Sequence, residues 1–250
     1  MRKRFLAAQG KTGKVFLERA LSKLGFASRT QTRAWILEGK VKVNGKIERN
    51  LKRLVVPESE KIEVSNRPVA KAAFKMVLLY KPRGVVVTRR DEKNRPTVFS
   101  LLKNIKENLH AVGRLDLASS GVLLLTNDTR VSDWLTDPEN EILRSYLVTV
   151  KGNVSKKESE LLRNGIRDGD DFLKPREIIL QKASSKESHL TVVLAEGKNR
   201  EIRRMFDALH YEVIRLKRIA FGGLTLGTLQ PGEYREVSPE ELKSVFPEMD

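Results

Sequence analysis

Asp116 is the residue in this sequence best placed to do chemistry. It stands two positions after Arg114 in the segment Gly113 to Asp128, which reads GRLDLASSGVLLLTND. Residues two apart in an extended segment point to the same face, so the carboxylate and the guanidinium share one side of the chain. A carboxylate so placed can attack an electrophilic carbon or accept a proton. The plain alternative is a turn cap, or a simple salt bridge to Arg114. An acid among cations is not what phosphate binding alone would select, because it repels phosphate.

The elements that must position Asp116 are legible around it. Ala118, Ser119, Ser120 and Gly121 predict a turn, and the apolar run Val122 to Leu125 predicts a buried strand. Asp116 is then expected on a loop at the mouth of a sheet, where a rigid frame carries reactive side chains.

The chain has 250 residues, 48 of them Lys or Arg and 32 Asp or Glu, for a formal charge of +16. That excess favours a polyanionic partner, and an apolar fraction of 40% argues against a disordered basic tail protein. The absence of cysteine removes disulfides, thiolate nucleophiles and cysteine-based zinc sites together. His110, His189 and His210 are too far apart for a metal-ligand spacing. The apolar stretch Phe5 to Ala8 is too short for a signal core, and no run approaches a membrane span. A soluble, cytoplasmic protein with no membrane partner is expected.

The charge is uneven. Residues 1–64 hold 16 Lys and Arg against 6 Asp and Glu, whereas residues 65–250 hold 32 against 26. A separate basic module is therefore expected at the front. Val15, Phe16, Ala20, Leu21 and Leu24 recur at helical spacing, and Gly25 ends that helix. Ser28 caps a second helix running to Leu37, with Ala34, Trp35 and Ile36 as its apolar positions and Gly39 just past its end. Val41 and Val43 alternate with Lys40 and Lys42, Asn44-Gly45 forms a hairpin turn, and another strand follows around Lys61 to Val64. Arg19, Arg29, Arg33, Lys40 and Lys42 give this module the footprint of phosphate contact. The bland reading is a solvated basic surface.

This first quarter resembles an S4 RNA-binding domain, through its Ala27-Ser28-Arg29 helix start and its Val43-Asn44-Gly45 hairpin. The usual second arginine is replaced by Thr30. The expected organisation is a basic tail 1–13, an S4 domain 14–64 of helix-helix-hairpin form, a linker 65–74 and a larger domain 75–250. In the larger domain strands are expected at Met76 to Tyr80, Val85 to Val87, Tyr146 to Val150, His189 to Leu194 and Gly222 to Leu229. Helices are expected at Ile202 to Leu209 and Pro239 to Val245. Strands outnumber helices without a βαβ repeat. The fold class is therefore α+β, with a mixed, largely antiparallel sheet and flanking helices.

Three segments of the larger domain, in this order, carry a second resemblance. They are LLYKPRGVVVT (78–88), the Gly-Arg-Leu-Asp segment, and EGKNREIRRMFDALH (196–210) with its continuation to Arg235. Together they closely resemble the pseudouridine synthases, in the branch that modifies small- and large-subunit ribosomal RNA and commonly carries an S4 domain.

That resemblance implies an isomerisation of uridine in ribosomal RNA, large-subunit RNA being favoured over small-subunit RNA, with no cofactor and no metal. Asp116 takes the role of the catalytic carboxylate. Arg114 helps hold the target nucleotide out of its stack, as an enzyme working on a base requires. Tyr146 stacks on the target base. Arg203 is the ion-pair partner of Asp116; a cation there favours the charged carboxylate. Lys81 supports the active-site loop first and contacts RNA second. Arg204, adjacent on the helix, is expected to point elsewhere and to be structural or phosphate-directed. Two departures stand out: Arg144 where the family usually has Lys, and Glu201 where many members have Gln. The implied partner is ribosomal RNA or a ribosome assembly intermediate, engaged by a monomer. The rival reading is a noncatalytic RNA-binding assembly factor with the same basic surfaces. Binding alone gives no reason to keep Asp116 with Arg114 and Arg203, so the enzyme is favoured.

Overall fold

The computed structural model describes residues 13–24, 26–57, 59–69 and 73–249. The expected tail therefore lies outside the described residues, Gly13 excepted, as does Gly25.

In the small module the helices are Leu17–Lys23 and Arg29–Leu37. Ser28 and Gln31 form a reciprocal capping box at the start of the second. Leu17, Leu21, Ile36, Val41, Val55 and Ile62 close a small core. Asn44 and Gly45 both have positive φ (50° and 81°), which a two-residue hairpin turn requires. Three details differ from expectation. Val15–Phe16 is not helical; it pairs with Leu54–Val55, and Phe16 stays 48% exposed. Ala34 is exposed, because Thr32 and Ile36 occupy the buried face. Ser65 and Asn66 turn the chain with positive φ, and Arg67–Pro68 pairs with Ile62–Val64. The sheet thus continues past Val64, to Pro68.

The large sheet has nine strands. Its path runs Glu177–Ala183, Glu187–Leu194, Arg144–Lys151, Val213–Phe221, Ser119–Thr126, Met76–Lys81 and Tyr234–Glu236. Every neighbouring pair on it is antiparallel except Ser119–Thr126 with Val213–Phe221. The fold is therefore α+β with a mixed, largely antiparallel sheet, as expected.

The central strands read as continuous apolar runs because both faces are covered. Val77, Leu79, Leu123 and Leu125 face one core with Ile202, Met205 and Phe206 of helix Glu201–Asp207. Met76, Leu78, Val122 and Leu124 face the other, with Trp134 and Leu135 of helix Thr129–Thr136 and Leu242 of helix Pro239–Val245. The five leucines among these strand residues are fully buried, each contributing about 1.5–3 kcal/mol.

Two expected strands shrink. Val85 to Val87 makes only an isolated bridge from Val86 to Thr97. Gly222 to Leu229 yields only Leu224–Thr225; the leucine spacing there reflects a loop packing on the core. The Ser119-Ser120-Gly121 triplet, expected as a turn, begins the central strand instead.

Candidate active site

The parallel pairing builds the site. Leu216, Lys217 and Arg218 align with Ser119, Ser120 and Gly121. Gly121 has φ 111°, and a Cβ there would lie 2.0 Å from the Arg218 carbonyl oxygen, so only glycine lets the two strands approach.

The loop entering this strand carries Asp116 and is tied down along its length. The Ser119 amide donates to the Asp116 carbonyl at 3.0 Å, and the Gly84 amide to the Leu117 carbonyl at 2.9 Å. Lys81 is fully buried beneath it, its Nζ donating to the carbonyls of Ser119 (2.8 Å) and Pro82 (3.0 Å). Burial pushes the Lys81 ammonium down to about 8, with Asp116 opposing that shift. An ammonium enclosed in this way has no surface to offer RNA; its contacts are with the loop.

Helix Glu201–Asp207 brings Arg203 to Asp116. Its Nε lies 3.7 Å from Asp116 Oδ2, while its Nη1 donates to the Val213 carbonyl at 2.9 Å. Nε and Nη2 have no hydrogen-bond partner among the described residues. Burial lowers the Arg203 pKa and Asp116 raises it, so the carboxylate offsets part of the cost of enclosing this guanidinium. Arg200 approaches the same carboxylate oxygen at 3.9 Å from the solvent side. Arg204 turns away to Asp168 and Asp171, the latter at 2.7 Å.

A cavity of about 320 Å³ opens in front of Asp116, and Arg114, Arg144, Tyr146, Glu201 and Arg218 are among the residues lining it. Arg114 is exposed at its rim, whereas Tyr146 is 7% exposed, its backbone paired with Val192 and Arg218. Arg144 and Arg218 are buried, and both guanidiniums lie about 5 Å from the Phe221 ring centroid. Arg144 donates to the Ala195 and Leu135 carbonyls, Arg218 to that of Val122. Glu201 is buried, its Oε1 without a hydrogen-bond partner among the described residues, and burial lifts its carboxyl to about 7. The arrangement places the Asp116 carboxylate in a recess lined by Arg114, Arg144, Arg200 and Arg218, by Glu196 and Glu201, and by the Tyr146 and Phe221 rings.

The structure thus gathers Asp116, Arg114, Tyr146, Arg203 and Lys81 at one place. It leaves Arg19, Arg29, Arg33, Lys40 and Lys42 on the small module, away from the cavity lining. Of these, Arg33 lies 4.0 Å from Glu18 and Lys40 2.6 Å from Glu38. Sequence reasoning passed over Arg200 and Arg218. Arg200 adjoins the recognised helix segment, but nothing local marks Arg218, which reaches the site only through the parallel strand pairing. Among the described residues, no group of His, Cys, Asp and Glu is arranged to hold a metal ion, and no helix is long and apolar enough to cross a membrane.

The sequence profile of the RNA pseudouridylate synthase family matches residues 75–208, and that of the S4 domain matches residues 17–60. The chain belongs to the RNA pseudouridylate synthase family, with an S4 domain ahead of the family's own segment. It is 39% identical over 229 residues to ribosomal large subunit pseudouridine synthase B of Bacillus subtilis (strain 168), covering 91% of this chain and 93% of the relative. It is 36% identical to an uncharacterized RNA pseudouridine synthase of Aquifex aeolicus (strain VF5), over 93% and 94% of the two chains. A solved pseudouridylate synthase structure superposes with a TM-score of 0.65 at 26% identity, covering 92% of this chain and 99% of that one.

Proposed function

We propose that this protein converts one uridine of large-subunit ribosomal RNA to pseudouridine, with Asp116 as the catalytic carboxylate. The observation that carries the reading is Asp116 itself, held at a cavity mouth 3.7 Å from a buried guanidinium. The name of the Bacillus subtilis relative, at 39% identity over nearly the full length of both chains, supports the choice of subunit.

The reaction breaks the N1–C1′ bond, rotates the uracil and forms a C5–C1′ bond; C5 loses its proton and N1 ends protonated. No electrons are transferred and no group is donated, so side chains suffice. Asp116 supplies the carboxylate that attacks the nucleotide or takes its proton. Arg203 balances its charge, and Lys81 fixes the loop that carries it. Arg114 at the rim holds the extracted nucleotide, and the Tyr146 ring forms a wall for the base.

The S4 domain of residues 14–64 grips RNA phosphates through Arg19, Arg29, Arg33, Lys40 and Lys42, and residues 75–250 perform the isomerisation. A cytoplasmic monomer acting on ribosomal RNA or on an assembly particle completes the proposal.

The test is pseudouridine mapping on unmodified large- and small-subunit ribosomal RNA fragments, and on precursor particles, with wild type and Asp116→Ala. One new pseudouridine in large-subunit RNA with wild type, absent with the variant, is expected. Salt-dependent binding by both proteins without modification of any substrate would instead favour a noncatalytic assembly factor.

A further inference from the structure

Asp116 has more cation around it than one carboxylate can neutralise. Arg203 and Arg200 both approach its Oδ2, at 3.7 and 3.9 Å. Lys81 interacts with it from below, and Arg83 is close enough to act electrostatically on Arg203. Several cations facing one acid leave net positive charge at the cavity mouth, where an anion is attracted.

The two arginines are not equivalent. Arg203 is 14% exposed and anchored to the Val213 carbonyl, so it cannot leave. The Arg200 side chain is 56% exposed; among the described residues it makes no hydrogen bond, and its long contact with Asp116 is its only ion pair. Its backbone has φ 49°, a left-handed conformation that costs a non-glycine residue energy and recurs at functional sites. Lys198, another cation lining the cavity, is already engaged by Glu196 at 2.8 Å and by the Phe172 carbonyl at 3.0 Å.

We propose that Arg200 is a phosphate-binding residue, which leaves Asp116 for the backbone phosphate beside the target nucleotide when RNA enters the site. This rests on the function proposed above. A nucleotide whose C1′ sits against Asp116 places its flanking phosphate one sugar ring away, within the sweep of an exposed guanidinium. Phosphate, whose two non-bridging oxygens can take both arms of a guanidinium fork at hydrogen-bond distance, outcompetes a carboxylate oxygen at 3.9 Å. The exchange removes one cation from Asp116 as substrate arrives and leaves Arg203 as its remaining guanidinium partner. The carboxylate is thereby freed on the side from which the nucleotide approaches.

The test uses transcripts tiling large-subunit ribosomal RNA, with the tightest-binding tile as the probe. Binding is measured across a salt series in an Asp116→Asn background, which prevents turnover, with Arg200 intact, Arg200→Ala or Arg200→Lys. Removing one phosphate contact lowers the slope of log K against log salt by about one, and Arg200→Lys retains it. Steady-state rates with Asp116 present should show Arg200→Ala losing about tenfold in kcat/KM, mostly through KM. An unchanged salt slope with the loss confined to kcat would overturn the proposal and make Arg200 a partner of Asp116 alone. If wild type modifies no tile, the proposed reaction fails, while the salt slope still decides whether Arg200 touches phosphate.

Discussion

The Arg203 guanidinium meets Asp116 at 3.7 Å through Nε while its Nη1 is fixed on the Val213 carbonyl. One end of the guanidinium is thus tied to the sheet and the other faces the carboxylate. Preorganised charge of this kind is where enzymes gain most. Arg203→Ala should lower the single-turnover rate at saturating RNA by about 100-fold or more. Arg203→Lys keeps a charge but loses the two-ended anchor, and should recover only part of it. Quench measurements on the modified fragment check this; a loss under threefold in Arg203→Ala would remove the pair from the mechanism.

Glu201 carries a prediction about pH. Its carboxyl is buried, and burial is the leading cause that lifts it to about 7 from an ordinary 4.5. The folded state therefore binds a proton that the unfolded state has released across that interval. Stability from this group is full below about pH 4.5 and is lost as pH rises through about 7. Glu201→Gln removes the titration. Melting temperatures of both proteins from pH 5 to 8 should diverge, wild type losing ground to the variant as pH rises. Parallel curves would mean that the carboxyl is not shifted.

Gly121 is where the sheet constrains the site. Any side chain there meets the Arg218 backbone at 2.0 Å and must also adopt φ 111°. Backbone cannot move aside as a flexible side chain can, and the strand pairing would part. Gly121→Ala should cost about 3 kcal/mol or more, combining strain with lost pairing. Urea unfolding measures it. Gly45→Ala, whose Cβ would meet nothing within 4 Å, serves as the control for positive φ without crowding.

Much of this site was legible because its chemistry is local. Arg114 and Asp116 lie in one loop, and Arg203 lies in one helix with a distinctive neighbourhood. Ser28 and Asn44-Gly45 marked their cap and turn because those residues act on backbone only a few positions away. What was illegible depends on the sheet. Arg218 lines the cavity only because Val213–Phe221 runs parallel to Ser119–Thr126, a pairing that no local pattern encodes. Gly222 to Leu229 looked like a strand because its leucines are spaced to be buried, yet a loop lying on a core satisfies the same spacing. Val15 and Phe16 fitted helical spacing, but pairing with Leu54–Val55 holds them extended.

Lys81 should show opposite trends in activity and stability. Its ammonium is enclosed, with carbonyls of Ser119 and Pro82 as its hydrogen-bond acceptors, and burial brings it down to about 8. Below that pH it is charged, holding the Asp116 loop and adding positive potential beneath the carboxylate. Above it the charge is lost from the folded protein, whereas an unfolded lysine keeps its proton to about 10.5. From about pH 8 to 10.5 the unfolded state binds more protons, so this group makes stability rise with pH. The single-turnover rate should fall over the same interval, because the charged form is the one that orders the loop. Lys81→Met removes both trends and lowers the rate below pH 8 by roughly tenfold to 100-fold through displacement of the loop. Rate and melting profiles of the two proteins from pH 7 to 10 test this together. A wild-type rate that stays level through pH 9 while Lys81→Met is impaired would show that the side chain supports the loop by its shape and hydrogen bonds, without its charge.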